Sequence, residues 1–132
     1  MKLICIEEHT IDLAIAKAAR KVVEDEAPYM GLQSSPNAAS RTRTGERPML
    51  VELNEAIELG TDLGEGRIQN MDEHGIDMQI VSYSSPAQLV PQGQAVLLTR
   101  AANDRLAQAI KANPTRLSGF AALPWQAPRA YH

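Results

Sequence analysis

Ile76-Asp77-Met78-Gln79-Ile80-Val81-Ser82-Tyr83, with the helix and strand that follow, decides the fold. In an extended chain Ile76, Met78, Ile80 and Ser82 share one face, and Asp77, Gln79, Val81 and Tyr83 share the other. Gly75, just before, has the place of a left-handed cap on a short helix from Arg67 to His74, whose Ile68 and Met71 face inward. Ser84 to Gln94 is a loop with Pro86 and Pro91. Ala95 to Asn113 is the clearest helix: Leu98, Ala102, Leu106 and Ile110 recur every four residues until Asn113-Pro114 stops it. Leu117 to Leu123 reads as a further strand, broken off by Pro124. Strand, helix and strand over about 76–123 make a βαβ unit, which requires a parallel sheet and a right-handed crossover.

Upstream, Lys2-Leu3-Ile4-Cys5-Ile6-Glu7-Glu8-His9 opens the chain with a short apolar run of buried-strand composition, followed abruptly by two acids and a histidine. Strict alternation places Leu3, Cys5, Glu7 and His9 on one side and Glu8 with Ile4 and Ile6 on the other. Glu7 and His9 are then a carboxylate and an imidazole two positions apart at the carboxyl end of a strand. Such a pair can hold one divalent cation, at the end where α/β folds keep their chemistry. The plainer alternative is a strand running into a polar loop, with His9 hydrogen-bonded and unmetalled.

Between these regions, Ile11 to Asp25 reads as an apolar-striped helix with Asp12 near its start and Glu24 and Asp25 at the electrostatically wrong end. Pro28 to Met49 is an arginine-bearing loop over the surface. Leu50 to Leu59 is a candidate helix before Gly60, Gly64 and Gly66 intervene.

The 132 residues suffice for one domain with a real core, and 44% hydrophobic against 22% charged residues is a globular balance. A net charge of -3 without a basic stripe, and 4% aromatic residues, argue against nucleic acid as the main partner. The single cysteine, Cys5, fits a reducing compartment, packed as a small hydrophobe. With no secretory or bilayer-length apolar segment, a cytoplasmic protein with no membrane partner is expected.

Four motifs in order carry a resemblance. They are Glu7-Glu8-His9; Arg67-Ile68-Gln69-Asn70-Met71-Asp72-Glu73-His74-Gly75-Ile76-Asp77; Ala101-Ala102-Asn103-Asp104-Arg105-Leu106; and Asn113-Pro114-Thr115-Arg116-Leu117-Ser118-Gly119-Phe120-Ala121-Ala122-Leu123-Pro124. Together they resemble the amidohydrolase-related, metal-dependent decarboxylases, most of all the gamma-resorcylate and related hydroxybenzoate decarboxylases, and more distantly aminocarboxymuconate semialdehyde decarboxylase. The resemblance is weakest from Pro28 to Glu65. It implies a (β/α)8 TIM barrel binding zinc or manganese, and nonoxidative loss of CO2 from a hydroxylated aromatic carboxylic acid. A full barrel needs about 250 residues. Residues 1–132 are therefore expected to be an amino-terminal fragment of an α/β barrel: an excursion over about 11–66, then the βαβ unit. Such a piece would leave an open edge and a bare apolar face.

The resemblance carries Glu7 and His9 over as the first two metal ligands. The family's later histidine and aspartate ligands, and its proton donor, have no counterpart here. Ser82, Tyr83, Ser84 and Ser85, at the end of the second strand, and Trp125, after the third, are candidates to line the substrate pocket. His74 reads as a helix-end residue contacting the last carbonyls. Asn103, Asp104 and Arg105 read as a polar helix face with local pairs, and no nearby base makes any of the serines a nucleophile. For the complete enzyme the resemblance implies a carboxy-lyase and a homo-oligomer; a hydrolase of the same superfamily and a non-catalytic truncated chain are the alternatives, the chain alone being expected inactive.

Overall fold

The computed structural model describes residues 1–26 and 54–131. The loop expected over Pro28 to Met49 lies outside the described residues, as does the first part of the helix expected from Leu50. Among the described residues three strands form one sheet: β1 (Ile4–Thr10), β2 (Met78–Tyr83) and β3 (Leu117–Gly119). Their order is β1-β2-β3 and both pairs are parallel, as the βαβ reading requires. Four helices accompany them among the described residues: α1 (Leu13–Glu26), α2 (Asn54–Thr61), α3 (Glu65–Glu73) and α4 (Gln92–Ala112). Short 3-10 turns lie at Ala87–Leu89 and Pro128–Tyr131. Among the described residues no helix is long and apolar enough to cross a membrane.

Local chemistry sets the ends of these elements. Asp12 caps α1, its Oδ1 accepting from the backbone of Ala14 and Ile15 at 3.0 Å each. Gly75 closes α3 at φ 66°, the left-handed conformation expected of it. His74, as expected, turns to the helix end, where its Nδ1 donates to the Asn70 carbonyl oxygen at 2.8 Å. The helix expected from Ala95 begins three residues sooner, directly after Pro91.

β3 stops at Gly119, well short of the strand expected to Leu123. The cause is on α4. Asn103 donates to the Ala122 carbonyl oxygen at 2.9 Å and accepts from the Ala122 amide at 2.8 Å, which draws the chain out of the ladder. Asn103 is therefore a tether between α4 and the segment after β3, not part of a face of local pairs. At Gly119 the sheet and α4 come close: a Cβ there would lie 2.8 Å from the Val81 carbonyl oxygen and 2.9 Å from a Leu106 methyl.

The helices cover one face of the sheet. Val81 and Leu117 are buried there with Met71 of α3 and Leu106 of α4, and a second cluster joins Ile15 and Ala19 of α1 to Val90, Ala95 and Ala102. The opposite face has no covering layer among the described residues. Ile4 is 48% exposed, Ile6 70% and Phe120 63%. This is the bare apolar face expected of part of a barrel.

Strict alternation fails in β1. Ile4 pairs with Met78 and Cys5 with Gln79, but Glu8, not Glu7, pairs with Val81; His9 and Thr10 then pair with Ser82 and Tyr83. One extra residue is accommodated at Ile6-Glu7 as a bulge. Cys5 and Glu8 thus share the helix-covered face with Gln79 and Val81. His9 instead lies on the open face, with Ile4 and Ile6, and the expected grouping of Cys5 with His9 does not hold. The bulge reverses the phase because two residues there oppose one in β2.

Candidate metal centre

Both ends of β1 are fixed. At its start the Leu3 amide donates to Asp77 Oδ2 at 2.6 Å, and the Asp77 amide returns to the Leu3 carbonyl at 2.9 Å. At its end the Thr10 hydroxyl donates to the Gly60 carbonyl at 2.9 Å, and the Ser84 amide to the Thr10 carbonyl at 3.0 Å. The parallel register brings the carboxyl ends of β1 and β2 together, so His9 and Ser82 are neighbours: Nδ1 and Oγ are 3.1 Å apart and hydrogen-bonded. Ser82 also lies 3.5 Å from the Glu8 carbonyl oxygen, to which it donates. Both His9 and Glu7 are exposed. Glu7 sits in the bulge without a partner in the register, and counting back from His9 puts it on the same open face.

Beneath this end of the strand is Arg67, 7% exposed. Its guanidinium donates to the His9 carbonyl at 3.0 Å, to Gln79 Oε1 at 3.0 Å and to the Asp62 carbonyl at 2.7 Å. Burial lowers its pKa, with the charges of Glu8 and Asp62 acting against that shift. Arg67 thereby buttresses the backbone that carries His9. Its supporting role is not visible from the motif it opens, although it lies four residues before buried Met71 and so on the same inward helix face.

A second link, buried only on its Asp12 side, holds α1 to α4. The outer oxygen of Asp12, 5% exposed, receives the Arg105 guanidinium, so Arg105 makes a long-range pair and not the local one expected. The Asp12 amide donates to Ser85 Oγ at 2.6 Å. Ser85 is thus committed to the α1 cap, buried and away from His9. Tyr83 lies on the helix-covered face, its hydroxyl donating to the Ala102 carbonyl at 2.6 Å. Burial raises the Tyr83 pKa, Asp12 adds to the rise and Arg105 opposes it. A cavity of about 260 Å³ at this junction is lined by residues including Thr10, Asp12, Leu63, Tyr83 and Arg105, and not by Glu7, His9 or Ser82. Ser84 is exposed beside Thr10, and Trp125, 66% exposed, lies in the turn after β3. Of the five pocket candidates, Ser82 alone bonds His9. His9 does stand beside Ser82, a contact set by a register that is invisible in the linear sequence.

Glu7 and His9 offer an oxygen and a nitrogen donor, right in kind for zinc or manganese. They are short in number: among the described residues no group of three or more His, Cys, Asp or Glu side chains stands together to hold a metal ion. A catalytic site usually takes three protein ligands.

No family model matches the chain. Gamma-resorcylate decarboxylase of Polaromonas sp. is 44% identical over 69 residues, covering 51% of this chain and 21% of the relative. The backbone is similar to 5-carboxyvanillate decarboxylase of Novosphingobium aromaticivorans, solved with manganese and 4-hydroxy-3-methoxy-5-nitrobenzoic acid, at a TM-score of 0.71 and 27% identity over 96% of this chain and 35% of that one. It is also similar to a dihydroxybenzoic acid decarboxylase of Polaromonas sp., solved with manganese and 2-nitroresorcinol, at a TM-score of 0.60 and 29% identity over 98% of this chain and 32% of that one. The resemblance read from the motifs therefore holds in sequence and in backbone, and the chain spans between about a fifth and a third of the length of the proteins it matches.

Proposed function

We propose that residues 1–132 form the opening part of a metal-dependent decarboxylase that removes CO2 from a hydroxylated aromatic carboxylic acid, and that the chain is inactive alone. The observation that supports this most directly is the position of Glu7 and His9, exposed together at the carboxyl end of β1 on the uncovered face of a sheet similar to those of manganese-bound decarboxylases. In this reading the uncovered face is the inner wall of a (β/α)8 barrel, and further strands bring the missing ligands. Residues 1–132 are then a single part-domain.

This chain's own residues hold the first half of the donor set in place. Arg67 secures the His9 carbonyl and Ser82 contacts the His9 ring. When bound, a divalent cation, zinc or manganese, supplies the positive charge that accepts a carboxylate and a neighbouring phenolic oxygen of the substrate. In this reading Ser82, Ser84 and the exposed Trp125 are the groups on this chain that would line the approach, while Tyr83 and Ser85 are turned to the covered side of the sheet. The same reading makes the complete enzyme a cytoplasmic homo-oligomer, with Cys5 reduced.

The test has two arms. Manganese binding to the 132-residue chain, followed by the electron paramagnetic resonance of the free ion, should be weak and released on dialysis, and should vanish in Glu7→Gln and in His9→Ala. The longer protein that carries this chain with the remaining strands should release CO2 from a dihydroxybenzoate, while the chain alone releases none. Manganese binding that both substitutions leave unchanged refutes the assignment of the ligands.

A further inference from the structure

The Ser82 hydroxyl stands between two groups at the end of β1. His9 Nδ1 is 3.1 Å away and the Glu8 carbonyl oxygen 3.5 Å away. A serine hydroxyl has one proton to give and lone pairs to offer; a carbonyl oxygen can only accept. If the proton pointed at Nδ1, the lone pairs of Ser82 would face those of the Glu8 carbonyl, two acceptors set against each other. If it points at Glu8, a lone pair faces Nδ1, and Nδ1 must carry a hydrogen. The second arrangement pairs all three groups.

We propose that Ser82 is a positioning residue that holds His9 as its Nδ1–H tautomer, leaving the Nε2 lone pair bare on the open face and ready for a divalent cation. In free imidazole nothing selects this tautomer. Here the selection comes from the register: Ser82 opposes His9 only because the bulge at Ile6-Glu7 shifts the phase of β1 by one residue. Among the described residues Nε2 has no hydrogen-bonding partner, so the ring is held at one nitrogen only. The metal part of this inference rests on the function proposed above. The tautomer does not, since it belongs to the metal-free chain.

The measurement is long-range 15N–1H correlation on the chain with 15N-labelled histidine, at a pH of about 8.5, well above imidazole titration. Signals of His9 are those that disappear in His9→Gln. His74 serves as an internal standard, because its Nδ1 faces a carbonyl and must be protonated. The expected spectrum of His9 has a protonated Nδ1 and an unprotonated Nε2. Ser82→Ala should move His9 towards the Nε2–H form, and Ser82→Thr, which keeps the hydroxyl, should restore the original pattern. A protonated Nε2 in the unaltered chain, or a pattern unmoved by Ser82→Ala, overturns the proposal.

Manganese titration of the same samples separates this from the metal reading. Loss of about tenfold in affinity in Ser82→Ala, recovered in Ser82→Thr, supports the positioning role, in line with the effect of groups that orient a ligating histidine. Equal affinity in Ser82→Ala and the unaltered chain overturns that role. If no sample binds manganese, the metal reading falls, and the NMR pattern alone still decides the tautomer.

Discussion

Replacing Arg67 by methionine tests whether one buried cation holds the site end of the sheet together. The substitution keeps most of the apolar stem and removes every donor. It leaves three acceptors that now receive good hydrogen bonds: the carbonyls of His9 and Asp62 and the side-chain oxygen of Gln79. Hydrogen bonds from a charged donor contribute about 1.5 kcal/mol or more each, so their loss comes to roughly 4–5 kcal/mol. Against this, the guanidinium no longer has to be desolvated, a cost visible in its lowered pKa. Allowing about 1–2 kcal/mol for that relief leaves a net loss of about 3 kcal/mol. Urea unfolding of the 132-residue chain, followed by far-ultraviolet circular dichroism, measures it directly. Arg67→Lys should fall between the two, since one ammonium cannot span three acceptors on different elements. A loss below about 1 kcal/mol in Arg67→Met would show that water or local rearrangement satisfies these acceptors, and the buttress argument would fail.

Three further predictions use the same unfolding assay. Ile6→Thr on the open face should change stability by no more than about 0.5 kcal/mol, whereas Met71→Ala, fully buried behind the sheet, should cost about 3 kcal/mol; equal costs would mean the open face is covered in solution. Gly119→Ala should cost about 2 kcal/mol, because the new methyl meets the rigid Val81 carbonyl as well as the Leu106 side chain. At alkaline pH the raised pKa of Tyr83 means the unfolded chain loses this proton first, so its contribution is intact below about pH 10 and is lost as pH rises through the folded value. Tyr83→Phe should flatten that part of the pH–stability curve while costing about 1 kcal/mol near neutrality through the bond to Ala102; an unchanged alkaline slope would count against it.

The elements that could be read in advance are those written in local periodicity. The repeat from Leu98 to Ile110 marks α4, Gly75 marks the end of α3, and the two apolar runs flanking α4 require a parallel pair. What stayed hidden depends on contacts between distant positions. The early end of β3 is decided by Asn103, nineteen residues before the segment it captures. The pairing of Asp12 with Arg105 spans ninety-three positions and shows no local pattern. The candidate metal ligands were legible as a motif, because two donors at one strand end is a local fact. Their support was not: neither the burial of Arg67 nor the meeting of Ser82 with His9 follows without the register.

The irregularity at Ile6-Glu7 also makes the two donors mechanically unequal. His9 rides on a rung of the ladder, between Glu8 and Thr10, which are rungs as well. Glu7 hangs on the one link of β1 where the rungs are interrupted. If the proposed pair does hold an ion, such a clamp would have a fixed jaw and a more compliant one: the imidazole would set where the ion sits, and the carboxylate would be the donor freer to adjust to its radius.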